Sequence, residues 1–359
     1  MKKGFSILSI VLLLLMLLLA GCSSSAGTSG DQQGKDKGGK KIEVGFSIKT
    51  QDSPYFVALV EAVQKYCEEQ GWDVTVLDAN GDTTKETENM ETFIAQGKDL
   101  IFIDAIEPDA ATPVINKAAE AGIPVIALDS GVGDDANTVT TVYSDNKQNG
   151  RLVGLAYAEK MKDKEIKAII LSGAKGNIAG EERRTGLFAG IIEGKTGVSE
   201  EKAWELARQL DSDLISKGKA VNEEAQFSVV GQGWGNWTEE GGLEASEDLI
   251  TANPDLTTVL GENDQMLFGA MTALKNAGIE GVDIVAAADG AKKAYDLIKE
   301  GKYFATGENS PVKVAEKGVQ IAKEILVDGK DPSSYDKITL TEPAAITAEN
   351  VDEHYDFGF

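Results

Sequence analysis

The sequence predicts an α/β protein made of two doubly wound parallel-sheet lobes. Three observations lead there. From Ile42 onward, short β-branched runs alternate with segments of helical spacing. That alternation completes one series and restarts after Asp145. The chain has 359 residues, enough for two domains at roughly 150 residues each. Strand–helix alternation of this kind gives a parallel sheet covered by helices on both faces, so two series give two such sheets.

The N-terminus lies outside that pattern. Lys2 and Lys3 precede an apolar run from Ile7 to Leu19, which ends in Leu19-Ala20-Gly21-Cys22. A basic start, an apolar stretch and small residues before a cysteine describe a secretory signal peptide over residues 1–21. The run is about 13 residues long, short of the ~20 needed to span a bilayer. Leu-Ala-Gly-Cys resembles the lipobox of bacterial lipoproteins, which implies lipidation of Cys22 and anchoring to the cell membrane from outside. Residues 22–41 are rich in Ser, Gly, Gln, Asp and Lys and have almost nothing to bury, so they read as a flexible linker.

In the first series the strand candidates are Ile42–Ile48, Val74–Asp78, Leu100–Asp104, Pro124–Asp129 and Val139–Ser144. Between them, Phe56, Leu59, Val60, Val63, Tyr66 and Cys67 recur three and four residues apart, as on one face of a helix. Met90, Phe93 and Ile94 mark a second helix, and Val114, Ile115, Ala118 and Ala119 a third. In the second series the strands are Ala168–Ser172, Phe227–Gly231, Thr258–Gly261, Ile284–Ala287 and Phe304–Gly307. Helical patterns lie near 149–161, 180–192, 239–251, 265–277 and 291–299. The stretch Glu193–Gln226 breaks the rhythm and reads as an insertion, helical over Ala203–Leu214.

Open parallel sheets bind ligands at the carboxyl ends of their strands. The chain repeatedly places polar residues there: Ser53-Pro54-Tyr55 just past the first strand, then Asp104, Asp129, Asn263-Asp264, Asp289 and Asn309. Each could equally be a helix cap or a turn former. As a set they point to a ligand cleft.

Several motifs together resemble the sugar-type periplasmic binding proteins of the ribose- and galactose-binding kind. They are Ser53-Pro54-Tyr55-Phe56, Val125-Ile126-Ala127-Leu128-Asp129, Tyr143-Ser144-Asp145-Asn146, Glu182-Arg183-Arg184-Thr185-Gly186, Gly261-Glu262-Asn263-Asp264-Gln265-Met266 and Ala288-Asp289-Gly290. The resemblance runs from about Ile42 to Thr341 and implies type I lobes joined by a three-crossing hinge near Ser144-Asp145, Asn309-Ser310 and Thr341. Lobe one is then 42–144 with 310–340. Lobe two is 145–309 with 341–359, and includes the insertion at 193–226.

The resemblance also implies site roles. Tyr55 and Phe56 stack on the ligand from lobe one and Trp237, or Trp234, from lobe two. Asp129 and Asp289 accept hydroxyl hydrogens, Asn263 and Asn309 bond in both senses, and Arg183, or Arg184, donates. Ser53, Asp104 and Glu181 complete the expected set, and all three depart from the family's ribose binders. Those have asparagine at the first two positions and arginine at the third, and a further arginine where this chain has Ser130. The result is an acceptor-rich pocket, suited to a neutral sugar, polyol or cyclitol, or to a ligand bearing an amine. Charged sugar phosphates and sugar acids are disfavoured.

Composition narrows the function. The formal net charge of −24 repels nucleic acid. With Cys22 lipidated, Cys67 is left without a disulfide partner, and its helical register predicts a buried, inert thiol. The single histidine, His354, lies five residues from the end, so neither a metal site nor a Ser-His-Asp triad is expected. No cofactor is expected either. The function implied is a monomeric, extracytoplasmic substrate-binding lipoprotein that delivers its ligand to an ABC permease, and not an enzyme. The alternative is a sugar or autoinducer sensor that signals to a chemoreceptor or histidine kinase.

Overall fold

The computed structural model describes residues 41–359. The expected signal peptide, Cys22 and the expected linker up to residue 40 lie outside the described residues. The first series runs β1 (Glu43–Ile48), α1 (Pro54–Glu69), β2 (Asp73–Asp78), α2 (Thr83–Gln96), β3 (Leu100–Ile103), α3 (Pro108–Glu120), β4 (Val125–Leu128) and β5 (Thr140–Ser144). The second opens with α4 (Asn146–Lys160), β6 (Ile166–Ser172), α5 (Ile178–Thr196), α6 (Glu200–Lys217), β7 (Ala220–Asn222) and β8 (Phe227–Trp234). It continues with α7 (Glu239–Ala252), β9 (Thr258–Gly261), α8 (Asp264–Ala277), β10 (Asp283–Ala286), α9 (Lys292–Lys299) and β11 (Thr306–Gly307). The chain then adds α10 (Pro311–Leu326), β12 (Ile338–Thr341), β13 (Ala345–Ile346) and α11 (Val351–His354).

The first sheet has the order β12-β5-β4-β3-β1-β2 and is parallel throughout. Its central strands β3 and β4 are apolar without interruption because both faces are covered. Leu100 and Phe102 pack with α1 and α10, whereas Ile101 and Ile103 pack with α2 and α3. Cys67 is buried in the first of these cores, and burial pushes its thiol up to about 12.

The second sheet, β10-β9-β6-β8-β7, is parallel except for the antiparallel edge strand β7. Residues 193–226 supply the last turn of α5, helix α6 and that edge strand. Ala203, Ala207, Leu210 and Leu214 of α6 enter the core formed with Val153, Tyr157 and Ile170.

Side-chain caps fix many helix starts. Asp82, Asp145, Asn177, Ser199, Thr238, Asn263 and Ser310 each accept from a backbone N–H in the first turn. Helices α4 and α5 approach unusually closely. A Cβ on Gly154 would stand 2.4 Å from the carbonyl oxygen of Leu187, and one on Gly190 2.0 Å from that of Arg151. This seam brings the N-terminal turns of the two helices together.

Three segments connect the sheets, and they bond to one another. Asn149 Nδ2 donates to the Glu308 carbonyl at 2.8 Å, and its Oδ1 accepts from Ala344 N at 3.0 Å. Glu308 N donates to the Ala344 carbonyl at 2.9 Å.

Candidate binding site

The carboxyl ends of both sheets face a shared cluster of polar and aromatic side chains. From the first sheet come Lys49 after β1, Asp104 after β3, and Asp129 and Ser130 after β4, with Tyr55 and Phe56 in the first turn of α1. Tyr55 Oη donates to Asp129 Oδ1 at 2.6 Å. Lys49 Nζ reaches Ser130 Oγ at 2.7 Å, Asp104 Oδ1 at 3.3 Å and Asp129 Oδ2 at 3.5 Å, and it lies 4.3 Å over the Phe56 ring. Tyr55 and Phe56 meet edge to face, with centroids 5.5 Å apart.

The second sheet contributes Arg183 from the first turns of α5, Trp237 after β8, Asp289 after β10 and Asn309 after β11. Arg183 Nη1 donates to Asp289 Oδ1 at 2.9 Å and Nε to Asn146 Oδ1 at 2.8 Å. The guanidinium lies 5.6 Å from the Trp237 ring. Asn309 Nδ2 also donates to Asp289 Oδ1, at 3.3 Å. Two contacts join the halves: Tyr55 Oη donates to Asn309 Oδ1 at 3.3 Å, and Tyr143 Oη to Glu182 Oε2 at 3.2 Å. Phe359 adds an edge contact to Tyr55 at 5.4 Å.

Backbone strain collects at the same place. Asp129 has φ 63° and Trp237 φ 65°, a left-handed region that residues other than glycine enter at a cost of about 1–3 kcal/mol. Gly173 is the seat for Trp237, since a Cβ there would lie 1.9 Å from the indole ring. Only glycine leaves that space.

Burial shapes the charges. Asp104 is fully buried, and desolvation, opposed by Lys49 and reinforced by Asp129, raises its pKa to about 7. Burial pulls the Lys49 ammonium down, but Asp104 and Asp129 outweigh it and the net shift is upward. Asp289 is raised by burial against the opposing pull of Arg183. Asp264 is raised to about 6 by burial and by Asp289.

The arrangement separates the sequence candidates. Tyr55, Phe56, Asp104, Asp129, Arg183, Trp237, Asp289 and Asn309 come together. Of the two arginines, Arg183 is in the cluster, whereas Arg184 is tied to Asp211 and Glu262. Of the two tryptophans, Trp237 meets Arg183, whereas Trp234 lies under Lys175. Asn263 spends its Oδ1 capping α8 at Met266 N and its Nδ2 on the Trp237 carbonyl, so it supports the Trp237 loop. Ser53 lines an open groove of about 600 Å³ beside the cluster, with Val57, Lys292 and Phe359. Glu181 is exposed at the start of α5 and makes no side-chain hydrogen bond among the described residues.

Three contributors were given no individual role from the sequence. Lys49 follows β1 directly, so the strand-end rule reaches it. Asn146 orients Arg183. Asp264 holds the Asp289 loop, accepting from Gly290 N at 2.9 Å and Ala291 N at 2.8 Å, and from Tyr303 Oη at 2.8 Å. Its place in the Asn263-Asp264 pair at a strand end is the signal that points to it.

Comparison with known proteins shows the family of the fold. A periplasmic binding protein domain matches residues 44–331. The ribose import binding protein of Escherichia coli K12 is 29% identical over 296 residues, covering 82% of this chain and 88% of that one. The galactofuranose-binding protein of the same organism is 26% identical over 308 residues, covering 84% and 86%. Among solved structures, an ABC transporter solute-binding protein from Mycobacterium smegmatis with bound glycerol superposes with a TM-score of 0.69 at 27% identity, covering 87% of this chain and 96% of that one. With two parallel-sheet lobes and a family domain matched over most of its length, the chain belongs to the periplasmic binding proteins.

Proposed function

We propose that this protein is the extracytoplasmic receptor of an ABC importer, capturing a neutral sugar or polyol between its lobes and handing it to the permease. The observation that supports this most is the convergence of Tyr55 and Asp129 from one sheet on Asn309, Asp289 and Arg183 from the other. Hydroxyl-rich ligands need acceptors, two-way amides and aromatic faces together, and this cluster offers all three. Relatives named for ribose and galactofuranose, and a structural neighbour holding glycerol, support the same ligand class.

In this reading lobe one is 42–144 with 310–340, and lobe two is 145–309 with 341–359. Residues 1–21 are removed, Cys22 takes the lipid, and 22–41 hold the receptor off the membrane. Contacts from both lobes favour the closed state by their differential affinity, which lets the permease tell loaded receptor from empty. Binding needs no bond-making step, and no residue is assigned a catalytic role.

The test is a thermal-shift screen of the chain beginning at Ser23 against pentoses, hexoses, polyols and cyclitols. A ligand at a hundredfold excess over its Kd stabilises the fold by about 2.7 kcal/mol, a readily measured rise in Tm. A hit among neutral sugars or polyols is expected. No response across them overturns the reading.

A further inference from the structure

We infer that Lys49 is a specificity-determining residue of this site: its ammonium balances the paired carboxylates of Asp104 and Asp129, tuning the pocket to uncharged ligands and against amine-bearing ones. The inference rests on the sugar-receptor reading and deepens it. Residue types alone give lobe one two carboxylates and a serine, a set that would welcome a cation on the ligand. The structure places a cation there already. Lys49 Nζ stands 2.7 Å from Ser130 Oγ, 3.3 Å from Asp104 Oδ1 and 3.5 Å from Asp129 Oδ2, over the face of Phe56. In the other half, Arg183 pairs with Asp289 in the same way. Each half of the cluster thus holds its own cation.

A second observation shows that the floor of this half is unfinished. Asp104 is 0% exposed, yet neither carboxylate oxygen finds a well-aligned hydrogen-bond donor. Ser47 Oγ, on the neighbouring strand, is also buried without a partner. Buried acceptors whose hydrogen bonding is incomplete are costly, and a hydroxyl-bearing ligand or a water that donates to them removes that cost. A ligand ammonium is a different matter. It would compete with Lys49 for the same carboxylates and bring two positive charges within a few ångströms in a poorly screened site. Lysine suits this role, being a compact point charge on a flexible stem that can swing as the ligand enters.

The experiment measures affinities of the chain from Ser23, which contains both lobes and their cores, and of its Lys49→Met, Lys49→Arg and Ser130→Ala variants. The probes are D-ribose, D-allose, L-arabinose, D-galactose, myo-inositol and glycerol, with D-glucosamine and D-galactosamine as amine-bearing counterparts. The wild type should bind its best neutral probe at least tenfold more tightly than either amino sugar. Lys49→Met should weaken that neutral probe at least tenfold and shrink the neutral-to-amine ratio by a similar factor. Lys49→Arg should lose affinity but keep the order of preference. Ser130→Ala, which releases the lysine without removing its charge, should shift the ratio in the Met direction by a smaller amount, and it keeps the test open if Lys49→Met does not fold. An unchanged ratio in a folded Lys49→Met protein overturns the inference, as does a wild type that prefers an amino sugar; both leave the receptor reading standing. A wild type that responds to no probe overturns the receptor reading and the inference with it.

Discussion

Asp104 is the residue whose titration should be visible from outside. Its pKa is raised to about 7 in the fold, mainly by burial, against about 3.9 for a free aspartate. A group raised on folding contributes stability that is fully present below its unfolded pKa and is lost as pH rises through the folded value. The empty wild type should therefore lose stability between about pH 4 and pH 7, and Asp104→Asn should lose less. The check is the difference in Tm between the two proteins across that range, because Asp264, raised to about 6, adds the same slope to both. At this scale the sequence was legible where a polar residue follows a buried strand, as for Asp104, Asp129, Asp289 and Asn309. It was ambiguous where neighbours share a motif. Arg183 and Arg184 differ by about 100° around α5, and only packing decides which one turns inward. Lys49 escaped because a lysine beside a strand end ordinarily reaches for water.

Among the elements, the β6–α5 loop matters for what Gly173 permits. The Trp237 ring lies on that glycine, and a methyl group would overlap it at 1.9 Å. Gly173→Ala should displace the ring and weaken the ligand found in the thermal screen by about 1–3 kcal/mol, the scale of a lost aromatic anchor. Titration calorimetry reads this directly, and unchanged affinity would place the indole outside the ligand's reach. The strands were the most legible elements. Those buried on both faces are continuous apolar runs, and Thr258–Gly261 is observed with the limits read from sequence. Helix α10 has no counterpart among the predicted elements, although Val314, Ala315, Gly318, Val319 and Ala322 fall on one buried face at helical spacing. The predicted strand Phe304–Gly307 shortens to Thr306–Gly307, with Ala305 bridging to Val285. β13 is only two residues long and β12 depends on a distant partner, so local pattern does not reveal them.

At the scale of the molecule, two side-chain hydrogen bonds hold the sheets' polar ends together, Tyr55 to Asn309 and Tyr143 to Glu182. A hydrogen bond to a carboxylate is worth about 1.5–3 kcal/mol net, so Tyr143→Phe should shift the lobes' equilibrium toward the open form by about tenfold or more. Small-angle scattering should show a larger radius of gyration for the empty variant, with apparent affinity reduced by about the same factor. An unchanged radius and affinity would mean that the bond does not bias closure. The wider architecture was legible because alternation is a property of the whole chain. The pairing of its three connecting segments through Asn149 was not, since those contacts join residues 159 and 195 positions apart. Trp237 has one more consequence. Trp72 is buried in a lobe-one core, Trp204 packs against a lobe-two core and Trp234 lies under Lys175, which leaves Trp237 as the indole in contact with Arg183. If the proposed site is the ligand's, that indole is a built-in optical probe, and its ultraviolet emission should change on binding without a dye or label.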